Sequence, residues 1–493
     1  MTGGIDPRTP VLVGVAQLTQ RVDRWEDGHE AIDLMVAAAF GAADDALGGE
    51  PGGRFVGGRT GAELLTAVQH VSVPQGMWAY ADPARLVADR IGARSARTVL
   101  AELGVLQQDV IADGCAQIAR GQLDVALVVG GEAKHRSLLA TIAGEQATEV
   151  VQPEGAAADR VWKAPSLGVH DIEILRHAVD PSTSYALIED ARRGAAGTTH
   201  ADTVAKLGRL WAGFAEVASE HPLAWDRSAP SAAEITDAKA TGNRMIAEPY
   251  TKRLCSQWNV DQAVGLLLCS VAAAERHGIA RDRWVFPLAS AVSNHALPVV
   301  ERREIDRCAG ARLAAGAALD HVGMGVDDLA VIDLYSCFPA AVQVYAHELG
   351  LSVDEPRPLT VTGGMTFFGG PLNSYVFHAL ATMVPMLRAD PPAVGLSSSV
   401  SGFLVKQGFG LWSATPPTTA RPFRHLDVSE AVAAITGRCD VDQNHPEGIS
   451  AEEVPGASVI ASTVVHHRSG PARTVAIVDL PSGARTITVT PAP

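Results

Sequence analysis

The stretch Asp113-Gly-Cys-Ala-Gln-Ile-Ala-Arg-Gly-Gln-Leu-Asp-Val-Ala-Leu-Val-Val-Gly-Gly-Glu132 joins two patterns. Up to Gly121 it reads as the end of a helix. Asp124 then opens a continuous apolar run, the signature of a strand covered on both faces. The pair Gly130-Gly131 marks a packing turn where that strand ends. Working outward, similar runs recur at Val11-Leu-Val-Gly-Val-Ala16, Ala330-Val-Ile-Asp-Leu-Tyr335 and Ala393-Val-Gly-Leu-Ser397. Between them, residues 31–46, 97–120, 309–320 and 340–349 read as helices. Strands alternating with helices predict an α/β fold with parallel sheets.

The composition bounds the function. With 40 Lys plus Arg against 55 Asp plus Glu, the 493-residue chain carries a net charge of −15, which argues against a general nucleic-acid or anionic-membrane binder. At 47% hydrophobic and 19% charged residues it is apolar enough to fold throughout. Its six cysteines (Cys115, Cys255, Cys269, Cys308, Cys337 and Cys439) lie far apart, with no CxxC and no zinc-type Cys/His spacing, so reduced thiols and no metal site are expected. The longest mostly apolar run, residues 263–274, is shorter than the roughly 20 residues of a membrane span. The opening Met-Thr-Gly-Gly-Ile-Asp-Pro-Arg has no basic patch before an apolar core, so a cytoplasmic protein is expected.

The strand-helix-strand order of the first third recurs from about residue 284 to 414, as if one α/β unit were used twice. Between the two, residues 134–250 turn polar and helix-forming, with a helix predicted over 199–220 behind an Asp202 N-cap. The prolines of Thr415-Pro-Pro-Thr-Thr-Ala-Arg-Pro422 mark a boundary. Beyond it a short helix and three β-type segments (458–467, 474–480 and 485–490) predict a small β-rich module. Residues 417–493 hold six Arg, no Lys and eight acidic residues, a balance of −2, and no aromatic follows Phe423, so the module lacks a nucleic-acid surface. His466 and His467 are neighbours on a strand and point to opposite faces, which rules out a shared metal site.

The string A-x-x-I-x-x-G-x-x-D-x-x-x-x-x-G-G-x-E around Gly121 and Glu132 resembles the first half of the thiolase superfamily, and four further stretches agree in order over residues 8 to 414. The resemblance, strongest to thiolase-like proteins of type 1, implies two similar βαβαβαββ halves in five α/β/α/β/α layers. A helical loop-domain insertion and a small C-terminal β-rich domain are added. The implied domains are 1–132 with 250–284 (first half), 133–249 (insertion), 285–415 (second half) and 422–493 (additional domain).

The family's nucleophilic Cys falls on Gly104, and no Cys, Ser or Thr stands between Thr98 and Cys115. In Leu334-Tyr-Ser-Cys-Phe-Pro339, Tyr335 takes the position that holds an oxyanion-hole water, while Cys337 and Phe338 match the sterol-carrier-type variant. In Thr360-Val-Thr-Gly-Gly-Met-Thr-Phe-Phe-Gly-Gly-Pro-Leu372 the family's His falls on Gly370, and His378 further on reads as a core or surface residue rather than a substitute base. In Gly395-Leu-Ser-Ser-Ser-Val-Ser-Gly402, Val400 stands for the acid/base Cys and Gly402 matches the family's Gly. The stretch Tyr250-Thr-Lys-Arg-Leu-Cys-Ser-Gln-Trp-Asn259 resembles the loop bordering the pantetheine tunnel, making Ser256 and Gln257 ligand candidates together with Gly370 and Gly402.

The resemblance therefore implies a protein that takes CoA or an acyl-CoA as ligand, binds no covalent cofactor and lacks thiolysis or Claisen condensation. Two alternatives stand beside it: an active acyltransferase with a relocated site on Cys337, and a non-catalytic scaffold or partner subunit. A family-type dimer and a monomer both remain open.

Overall fold

The computed structural model describes residues 5–49, 59–354, 357–444, 446 and 451–492. Residues 1–4, part of the stretch read for a leader, lie outside them.

Strands are numbered along the chain. The first sheet contains β1 (Pro10–Gln20), β2 (His70–Pro74), β3 (Arg97–Ala101), β4 (Val125–Ala133), β5 (Arg160–Trp162) and β8 (Asp261–Ser270), in the order β1-β8-β4-β2-β3-β5. The second contains β9 (Phe286–Ser293), β10 (Val331–Asp333), β11 (Val394–Ser401), β12 (Lys406–Ser413) and β13 (Arg424–Asp427), in the order β10-β11-β12-β9-β13. The third joins β6 (Met245–Ala247) and β7 (Tyr250–Thr251) to β14 (Ser458–His467), β15 (Gly470–Asp479) and β16 (Arg485–Pro491), in the order β16-β15-β14-β6-β7. Every residue of β4 and β8 is buried, which accounts for the apolar runs at their centres, Val125–Val129 and Leu266–Cys269.

Eight helices position the site: α1 (Ala31–Ala46), α2 (Gln107–Ala119), α3 (Pro181–Ala196), α4 (His200–Glu220), α5 (Ala309–Val322), α6 (Pro339–Leu349), α7 (Tyr375–Ala389) and α8 (Ser429–Ile435). Helix α1 covers β1, β4 and β8 from outside, whereas α2 and α7 each touch strands of both large sheets and so lie between them. Helix α5 covers β9 and β12, with α6 beside it. The result is the expected five-layer body. One ion pair ties an outer layer to the middle one: Arg388 Nη1 on α7 lies 2.9 Å from both carboxylate oxygens of Asp45 on α1, and its Nη2 donates to Val13 O at 3.0 Å.

Three local expectations are corrected. Residues 97–120 are not one helix. Arg97–Ala101 pair in parallel with β2, and the chain turns through Gly104 before α2 begins at Gln107. The cap of α4 is Thr199 and not Asp202: its hydroxyl accepts the Asp202 N–H at 3.1 Å and donates to the Asp202 carboxylate at 2.6 Å. The segment after residue 422 is also not self-contained. Its first strand, β13, pairs in parallel with β9 of the second sheet, and β14 pairs with β6 of the insertion.

Candidate functional site

Gly104 sits in the turn between β3 and α2, at the point where a helix N-terminus would favour a thiolate. Its φ of +98° lies in the left-handed region that side chains avoid. A Cβ built there would stand 2.7 Å from Leu167 Cδ2 and 2.9 Å from Ala164 Cβ, both contributed by the insertion. The Gly104 carbonyl is held by Lys406 Nζ at 2.7 Å and Ser401 Oγ at 3.1 Å. Lys406 is only 1% exposed, and burial depresses its ammonium below the ordinary range while Asp109 opposes the shift. Val400, buried on β11, pairs with Gln407, and the carbonyl of Gly402 accepts from Tyr185 OH at 3.3 Å.

The stretch at the end of β10 comes to the same place. Tyr335 donates its backbone N–H to Ser398 Oγ at 2.8 Å, and its phenol oxygen accepts from the side-chain amide of Gln107 at the start of α2. The Gln107 Oε1 also accepts the Val376 N–H of α7 at 2.7 Å, so one buried amide links the two central helices to Tyr335. Ser336 Oγ accepts from Met365 N at 3.1 Å and donates to Tyr375 OH at 3.4 Å. Cys337 has Tyr185 as its hydrogen-bond partner, and Tyr185 stacks on Phe338 at 4.7 Å. Desolvation pushes the Cys337 thiol up to about 12, with the Tyr185 phenol and local N–H groups pulling only partly the other way. Neutral thiols are poor nucleophiles, so Cys337 in the native protein is expected to resist iodoacetamide at about pH 7.5 while alkylating freely in denaturant. Intact-protein mass with peptide mapping reads this out, and rapid native labelling of Cys337 would contradict the assigned environment.

The remaining candidates are joined by hydrogen bonds to the backbone. Ser256 Oγ donates to Cys337 O at 2.7 Å, Gln257 N to Met365 O at 3.0 Å and Gly370 N to Gln257 O at 2.8 Å. The loop 255–257 is thus stitched onto both the Cys337 turn and the Gly370 turn. His378 is fully buried, with Nδ1 3.0 Å from Gln17 Oε1, and burial drives its imidazole down to about 3. It is a neutral packing residue at ordinary pH. Gly130 is explained by contact as well: a Cβ there would lie 2.7 Å from Ser374 Cβ.

One acid lies beneath these loops. Asp333 at the end of β10 accepts Thr360 Oγ1 and Val361 N, both at 3.0 Å, and burial pushes its carboxyl from 3.8 up to about 7. A folded-state pKa above the unfolded one means that the native state binds the proton more tightly. Stability therefore falls as pH rises from about 4 to about 7, and the full penalty persists above that. Asp333→Asn keeps the acceptor and removes the buried charge. It is expected to raise stability at about pH 8 by roughly 2–4 kcal/mol and to have little effect near pH ~4. Thermal melts of both proteins across that range check the sign, and a larger gain at acid pH would contradict it.

Gly104, Tyr335, Cys337, Gly370, Val400 and Gly402 were singled out from the sequence, and hydrogen bonds connect the loops that carry them. Lys406, Gln107 and Tyr185 were missed. Lys406 had a signal, since it is a lone cation inside the apolar run Phe403-Leu-Val-Lys-Gln-Gly-Phe409. Gln107 and Tyr185 had none, because their roles depend on contacts across the chain. Among the described residues there is no group of three or more His, Cys, Asp or Glu placed to hold a metal ion, and no helix long and apolar enough to cross a membrane.

No family model matches the chain. An acetyl-CoA acetyltransferase of Methanothermobacter thermautotrophicus is 22% identical over 404 residues, covering 78% of this chain and 92% of that protein. The crystal structure of a monomeric SCP2-thiolase-like protein type 1 from Mycobacterium smegmatis matches with a TM-score of 0.77 and 26% identity, covering 99% of this chain and 92% of that one. An acetyl-CoA acetyltransferase from Syntrophomonas wolfei matches with a TM-score of 0.55 and 16% identity, covering 82% of this chain and 99% of its own. The fold is the thiolase fold with an addition.

Proposed function

This chain belongs to the thiolase superfamily, and from that premise we propose that it binds CoA or an acyl-CoA without carrying out thiolysis or Claisen condensation. The observation that carries the proposal is the turn at Gly104. Covalent acyl transfer needs a thiolate there, and the backbone at φ +98° with Leu167 and Ala164 at contact distance has no place for one. The same conclusion follows independently at Gly370 and Val400, which offer neither imidazole nor thiol. Support for the ligand comes from the relatives named as acetyl-CoA acetyltransferases and from the glycine-bearing loops that keep their connections around Ser256 and Gln257.

The relocated-site alternative asks Cys337 to act as nucleophile. Its thiol is held neutral, and no imidazole is hydrogen-bonded to it among the described residues. The test is an assay of acetoacetyl-CoA thiolysis at high enzyme concentration, run on the native chain and on Cys337→Ala. The expected result is a rate at background for both. Turnover by the native chain that disappears in Cys337→Ala would establish the alternative and overturn the proposal.

A further inference from the structure

A cavity of about 170 Å³ opens between the N-terminus of α5, the turn at Leu404-Val405 and helix α8. Four arginines line it, Arg302, Arg303, Arg307 and Arg312, together with His295. Glu304 is the one acidic residue among its lining residues. On a chain of net charge −15 such a concentration of guanidinium groups is a specific local feature.

The surrounding acids neutralise it only in part, on the side of Arg307 and Arg312. Glu348 is shared by Arg307 Nε at 2.7 Å and Arg312 Nε at 3.6 Å while also accepting Cys308 N at 2.9 Å. Glu301 is taken by Arg438 at 2.5 Å, and both oxygens of Glu173 accept backbone N–H groups, from Val300 and His170 at 2.9 Å. Arg302 is 6% exposed. Its Nε donates to Leu297 O at 3.1 Å and its Nη2 to Phe403 O at 2.7 Å, but Nη1 has no hydrogen-bond partner among the described residues. A buried guanidinium nitrogen without a partner is costly unless something supplies an acceptor. The α5 N-terminus adds a positive dipole end at the same wall.

We propose that this cavity binds the phosphate group of a small phosphorylated ligand, with Arg302 and Arg303 as its principal contacts. The planar forks of guanidinium groups suit tetrahedral oxyanions. The volume suits a phosphate-sized headgroup, and the exposed Ile435 on the rim leaves room for the rest of the molecule outside. The inference goes beyond the proposed CoA function: Arg302 and Arg303 lie in the loop between β9 and α5, and the rest of the lining comes from α5, the Leu404-Val405 turn and α8.

The probe is inorganic phosphate, titrated into the full-length protein at constant ionic strength and followed by phosphorus NMR line broadening and calorimetry. A dissociation constant near or below about 1 mM is expected, weakened about tenfold or more by Arg303→Glu. Arg303 is exposed, so this variant is expected to fold, and its melting curve is recorded alongside. Arg302→Met serves as the buried counterpart. A parallel CoA titration of Arg303→Glu identifies the source of the phosphate: unchanged CoA affinity assigns the cavity to a separate phosphorylated ligand, and a matching loss assigns it to the phosphates of CoA. Absence of binding up to about 20 mM phosphate, or equal binding by the folded Arg303→Glu variant, would overturn the inference.

Discussion

Gly104→Cys is expected to yield a less stable protein with no gain of thiolase chemistry, although it restores the nucleophile in name. Two costs add. A non-glycine residue at φ +98° carries backbone strain of about 1–3 kcal/mol. Its Cβ would also press on Leu167 and Ala164 at 2.7 and 2.9 Å, and such overpacking costs about 1–3 kcal/mol more. The expected loss is about 2–4 kcal/mol after partial relaxation, measured by chemical denaturation. The companion assay is mass spectrometry for an acetyl adduct after incubation with acetyl-CoA. Undiminished stability together with acetylation of the new thiol would contradict the account of this turn, because it would mean that the insertion yields readily and the helix N-terminus still activates a thiol.

Arg388→Ala is expected to lower stability by about 3–5 kcal/mol, among the largest effects of any single substitution outside the apolar core. Asp45 is 1% exposed, and its carboxylate accepts both Arg388 contacts at 2.9 Å and the Val15 N–H at 2.9 Å. Arg283 Nη1 lies farther off at 3.3 Å. Removing Arg388 strips the main countercharge from a buried anion and frees the Val13 carbonyl, which accepts from Arg388 Nη2. Arg388→Lys keeps the charge but cannot span the carboxylate and the carbonyl together, so an intermediate loss is expected. Denaturant titration of the three proteins measures the series. A loss below about 1 kcal/mol for Arg388→Ala would mean that Arg283 alone satisfies Asp45.

Much of the fold was legible because its large strands are buried on both faces, so β4 announces itself by the apolar run Val125–Val129, whereas β8 lay inside a run, 263–274, legible only as a buried core element whose end turns into a helix at Val271. Helix α1 was bounded correctly, since polar residues and glycines flank an alanine-rich stretch. The region 97–120 misled for a physical reason. Thr98-Val-Leu-Ala101 is short and followed by helix-forming residues, and only pairing with β2 makes it a strand. The third sheet was illegible as a unit, because two of its strands, β6 at the end of the insertion and β7 just after it, lie far earlier in the chain than β14. At the candidate site, the side chains absent at Gly104, Gly370 and Val400 drew notice only through the resemblance to thiolases. What fills their places, Leu167 and Ala164 from the insertion and Lys406 from β12, depends on long-range contacts that no local pattern encodes.

Calorimetric titration of the purified full-length chain with CoA and with acetoacetyl-CoA, coupled to a thiolysis assay on the same sample, tests the central claim most directly. The account predicts saturable heat with both ligands and no consumption of acetoacetyl-CoA beyond background. Saturable binding accompanied by turnover, or the absence of heat with either ligand, would contradict it.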